Sequence, residues 1–69
     1  MFETFKEFIR EYTGLTLYDF RVLDMDGSSE KEVRDIFRMW LEDYRPTKEK
    51  IADAIEAAAY EGFDVSVVA

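Results

Sequence analysis

The 69-residue sequence contains no cysteine and no histidine. The first absence removes disulfides, thiol catalysis and most structural zinc sites. The second removes the commonest general base and the commonest transition-metal ligand. A non-enzymatic protein with no metal and no cofactor is therefore expected. Also lacking is any apolar run near the roughly 18 residues that read as a membrane span. The start does not have the basic-then-apolar order of a secretory signal either, since Phe2, Glu3, Thr4, Phe5, Lys6 and Glu7 alternate in polarity. A soluble, cytoplasmic protein is the expectation. Basic residues are scarce, nine against sixteen acidic ones, and the net charge of −7 opposes binding to phosphate backbones or anionic membranes. It favours a basic partner.

The hydrophobic fraction of 48%, with six Phe, four Tyr and one Trp, is too rich for a disordered tail, so the chain is expected to fold. Its length leaves room for one domain with one small core, residues 1–69. Turn-forming residues at Gly14, Asp26–Ser29, Pro46–Thr47 and Gly62 divide it into five segments.

Phe2, Phe5, Phe8, Ile9 and Tyr12 recur at helical spacing, which predicts a helix over residues 2–12 that ends at Gly14. Tyr18 to Val22 alternate apolar and polar in β-favouring residue types and predict a strand. Ser29 and Glu32 match a capping box, and Val33, Ile36, Phe37, Trp40, Leu41 and Tyr44 form a wide apolar stripe, predicting a helix over residues 29–44. Pro46 stops that helix. Thr47 can cap the next, in which Ile51, Ala54, Ile55 and Ala58 mark the inner face up to Gly62. Phe63 to Val67 return to period two and predict a second strand. The order α-β-α-α-β suggests an α+β domain, three helices packed on a small two-stranded sheet, with Phe37 and Trp40 at its centre.

Two family resemblances bear on this reading. The segment Val22, Leu23, Asp24, Met25, Asp26, Gly27, Ser28 resembles the first motif of the haloacid-dehalogenase-like phosphatases, a strand ending in Asp-x-Asp-Gly-Thr. The resemblance implies Asp24 as the phosphorus-attacking carboxylate and Asp26 as the general acid or base. The lysine and acidic pair that would complete such a site have no counterpart further along, so phosphatase activity is not expected. The apolar spacing of Phe5, Phe8, Ile9, Tyr12, Gly14, Leu15, Ile36, Phe37, Trp40, Thr47, Ile51, Ala54 and Ile55 is similar to that of death-domain helical bundles. That resemblance implies an alternative all-α fold in which Asp64 to Ala69 are helical.

The acids are arranged in rows. Glu3, Glu7 and Glu11 lie at successive i, i+4 positions on the first helix, and Glu49, Asp53 and Glu56 repeat the arrangement on the third. On the second, Glu30 with Arg34 and Glu42 with Arg38 are expected to pair. The unpaired rows suggest a small acidic protein that presents carboxylates in the manner of phosphates and inhibits a basic, nucleic-acid-binding partner. In size and charge it resembles phage-encoded inhibitors of restriction or CRISPR nucleases. The alternative is an interaction or adaptor module of death-fold-like type working through apolar and mixed-charge surface, with Phe2, Met39, Tyr44 and Tyr60 as candidate contacts.

Overall fold

The computed structural model of the chain describes residues 4–24 and 27–69. The described residues form four helices, α1 (Phe5–Thr13), α2 (Leu17–Val22), α3 (Ser29–Tyr44) and α4 (Lys48–Tyr60), and a terminal 3-10 turn over Ser66–Val68. No strand occurs among them, so the α+β assignment is wrong and the all-α alternative describes the architecture. It does so without its last helix, because the chain past Asp64 makes only the 3-10 turn.

Both predicted strands fail for local reasons. At the first, Thr16 opens a helix: its hydroxyl accepts the Asp19 N–H at 3.1 Å, and the Asp19 carboxylate accepts the Thr16 N–H at 3.0 Å. This reciprocal capping box satisfies two N–H groups that an emerging helix would otherwise leave open. A strand would have put Tyr18, Phe20 and Val22 on one face. Instead Leu17 and Phe20, three apart, are buried, while Tyr18 and Val22 are 52% and 59% exposed. Removing the cap with Thr16→Ala is expected to cost about 1 kcal/mol. Urea denaturation checks this, and a midpoint unchanged from wild type would mean that tertiary packing alone holds α2.

At the second, the end of α4 turns the chain away from any partner strand. Gly62, at φ 88°, donates its N–H to Ala59 O, and the Phe63 N–H reaches Ala58 O at 2.9 Å. This pair of bonds closes the helix as a Schellman motif, with Phe63 and Ala58 both buried as the accompanying apolar contact. The period-two pattern correctly marks Phe63 and Val65 as inward and Asp64 as outward. Yet the segment is pinned by side chains rather than by a ladder. The Arg34 Nε–H of α3 donates to the Asp64 carbonyl at 2.8 Å, and the Asp64 carboxylate accepts the Ser66 N–H at 3.1 Å and the Ser66 hydroxyl. Those Ser66 bonds hold the Asp64 carboxyl below its ordinary pKa.

The helix starts at α3 and α4 follow the sequence closely, whereas α1 begins at Phe5 rather than at residue 2, because Thr4 is its N-cap and accepts the Glu7 N–H. Ser28, not Ser29, occupies the N-cap of α3; its hydroxyl donates to Glu32 at 3.4 Å, and the Ser29 N–H donates to the Asp24 carboxylate at 3.4 Å. Pro46 cannot continue α3, and Arg45 before it takes the left-handed conformation at φ 45° while its N–H closes onto Leu41 O. For a residue with a Cβ that conformation costs about 1–2 kcal/mol.

The core gathers Phe5, Phe8 and Ile9 from α1, Leu17 and Phe20 from α2, and Val33, Ile36, Phe37 and Trp40 from α3. Ala54 and Ala58 of α4 and the C-terminal Phe63 and Val65 close it. Phe5, Phe37 and Trp40, none of them solvent-exposed, form its centre, with ring centroids 5.1 to 5.7 Å apart. On the inner face of α4 the buried residues are the small Ala54 and Ala58. The flanks of α1 and α4 lie beside a surface groove.

Candidate functional site

The groove has a volume of about 590 Å³ and runs between α4 on one side and α1 with the start of α2 on the other. Helical spacing explains the α4 wall. Asp53, Glu56 and Tyr60 are separated by three and four residues, so they share one flank once Ala54 and Ala58 turn to the core. Glu61, the C-cap of α4, closes one end. Across from them stand Lys6 of α1 and, past the capping Thr16, Leu17 and Tyr18 of α2. Three carboxylates and one ammonium thus line the groove together with apolar atoms of Leu17 and Ala57.

Two of the lining residues, Tyr18 and Glu61, also contact a cation outside the lining, Arg21. The Arg21 guanidinium lies 5.1 Å from the centroid of the Tyr18 ring, and its Nη1 is 3.4 Å from Glu61 Oε1. Although within ion-pair distance, Oε1 is buried and makes no hydrogen bond of good geometry among the described residues. The contact is therefore Coulombic rather than a directed bond. Asp53 and Glu56 differ: both are exposed, and neither forms an ion pair among the described residues. No group of three or more carboxylates among the described residues is placed to hold a metal ion. The groove's acids are spread around a larger space.

Of the six acids singled out from the sequence, five lie among the described residues, and only two of those line the groove. Asp53 and Glu56 line the groove; Glu49 is exposed in the first turn of α4. Glu7 and Glu11 are exposed on α1, and the Glu7 carboxylate accepts the Thr4 hydroxyl at 3.1 Å, which ties it to the N-cap. Glu3 lies outside the described residues. From α1 the groove receives Lys6 rather than an acid, so a cation interrupts the negative surface between the two rows. On α3 the expected Glu30–Arg34 pair forms, whereas Arg38 pairs with Asp35 at 3.5 Å instead of with Glu42.

The apolar candidates are also divided. Tyr60 is 84% exposed at the groove, while Tyr44 packs edge-on against Phe8, on which Tyr12 stacks. Met39 is partly buried against the core, and Phe2 lies outside the described residues. The phosphatase-like motif loses its setting, because the residues before Asp24 end a helix rather than a strand, and Asp24 serves the N-terminus of α3. Asp26 is outside the described residues. Sequence reasoning missed Lys6, Tyr18, Arg21 and Glu61. The Thr16-x-x-Asp19 capping pattern was the available signal, since a helix there makes Tyr18 and Arg21 neighbours at i, i+3. No known protein family, curated protein or solved structure matches this chain.

Proposed function

We propose that the protein is a non-enzymatic helical interaction module that binds a basic segment of a partner protein in the groove between α1, α2 and α4. The observation that carries this reading is the lining itself: Asp53, Glu56 and Glu61 beside the exposed ring of Tyr60, with Lys6 as a cation in the same lining. Asp53 and Glu56, exposed and without an ion pair among the described residues, raise the local negative potential, and a concave surface focuses it toward an approaching cation. Tyrosine supplies a rigid apolar face with a polar tip, the side-chain type that anchors many interfaces. Mixed charge also selects, because Lys6 disfavours a uniformly cationic occupant.

A phosphate-mimicking inhibitor would share the basic partner but use a wider footprint. It would engage Glu7, Glu11 and Glu49 as well, all of them exposed and without an ion pair among the described residues. Two charge reversals separate the footprints. With the partner recovered by pull-down from the source cell, Asp53→Lys with Glu56→Lys is expected to weaken binding about tenfold at low salt, mainly through slower association. Glu7→Lys with Glu11→Lys is expected to change it less than about threefold, since neither carboxylate lines the groove. Comparable losses from the two pairs would favour the mimic. Indifference to both would remove the groove reading.

A further inference from the structure

Resting on the interaction reading above, we infer that the groove recognises an arginine side chain of the partner, seated on the ring of Tyr60 beside the Glu56 carboxylate, with Asp53 one turn further along α4. The protein contains an internal precedent. Arg21 places its guanidinium over Tyr18 and beside the Glu61 carboxylate, combining an aromatic face with an anion from two residues that line the groove. The same two groups recur along α4 with the cation missing. Tyr60 follows Glu56 by one turn and Asp53 by two, so ring and carboxylates line up on one flank.

Guanidinium fits this arrangement better than ammonium. It is planar and can stack on a tyrosine while its N–H fork reaches a carboxylate beside the ring, whereas an ammonium is a compact, strongly hydrated point charge. The aliphatic stem of the arginine would lie along Leu17 and Ala57, the apolar part of the lining. Lys6 on the opposite wall disfavours a second cation there, so the preferred segment carries one arginine flanked by uncharged residues. The volume of about 590 Å³ exceeds one side chain and leaves room for those neighbours.

Short capped peptides with a central arginine, lysine or citrulline in an otherwise uncharged sequence provide the probe. In an NMR titration of the isotope-labelled protein at low salt, the arginine peptide is expected to shift the signals of Asp53, Glu56 and Tyr60 saturably. The lysine peptide should bind about threefold or more weaker, and the neutral citrulline peptide should cause no saturable shift. Tyr60→Ala is expected to lower the affinity for the arginine peptide about fivefold, and Tyr60→Phe to retain it. Because Tyr60 is 84% exposed, neither variant should disturb the fold, which the unchanged signals of Phe37 and Trp40 would verify. Equal affinity for lysine and arginine, shifts centred on Glu7 and Glu11, or no effect of Tyr60→Ala would each overturn the assignment. If no peptide binds while the recovered partner still weakens with Asp53→Lys and Glu56→Lys, the arginine assignment fails and the interaction reading stands. If the recovered partner ignores that charge reversal, the interaction reading itself fails.

Discussion

Phe37→Ala is expected to remove about 3–5 kcal/mol of stability, the usual cost of emptying a buried aromatic site. Phe37 has no solvent exposure and touches Phe5 edge-on at 5.1 Å and Trp40 at 5.7 Å, so truncation strips contacts from both other members of the central cluster. A chain this short has little reserve. At roughly 0.05–0.15 kcal/mol per residue, its total stability is of the same order as the loss. No disulfide limits the damage, because no cysteine exists. The variant should therefore be largely unfolded at physiological temperature, visible as loss of helical circular dichroism. A fall in melting temperature of only a few degrees would show that the cluster can collapse around the gap.

The second large effect concerns the C-terminal segment. Val65 is fully buried and Val67, two residues on, is 62% exposed. Val65→Asp would place a carboxylate in the core, at a cost of several kcal/mol. Val67→Asp should stay within about 0.5 kcal/mol of wild type, as surface substitutions do. The pair separates this fold from the sheet, in which both valines would point to one face and suffer alike. Urea midpoints of the two variants are the measurement. Similar midpoints would mean that the Arg34 and Asp64 contacts do not hold the segment as described. Partial unfolding, with amides of residues 63–69 exchanging freely while α3 stays protected, would show the segment acting as a latch on the core.

The contrast between these valines shows what could be read from the residues and what could not. The apolar stripe of α3 repeats over 16 residues, long enough for the helical period to be unmistakable, and α4 is bracketed by Thr47 and Gly62. The six residues of α2 span less than two turns, too few to separate periods of two and 3.6 when Tyr, Phe and Val fill them. There the cap decides, and the Thr16–Asp19 pair outweighs β propensity. In Phe63 to Val67 the alternation records burial faithfully up to Val65, but burial is not pairing, and the 3-10 turn breaks the pattern at Val67. For the groove, Asp53 and Glu56 were legible as neighbouring unpaired acids. That Lys6 rather than Glu7 would stand opposite them depends on how α1 docks beside α4, which no local pattern encodes.

Trp40 has a consequence for observing all of this in solution. It is the only tryptophan, it has no solvent exposure, and its indole Nε1 finds no hydrogen-bond partner among the described residues. An indole shielded from water and from polar neighbours emits at short wavelength, and unfolding moves its emission to the red. The same buried donor that costs the fold a hydrogen bond makes the centre of the core optically distinct. The native protein thus carries its own fluorescent gauge of core integrity at a residue that does not line the groove, so unfolding can be followed without a label.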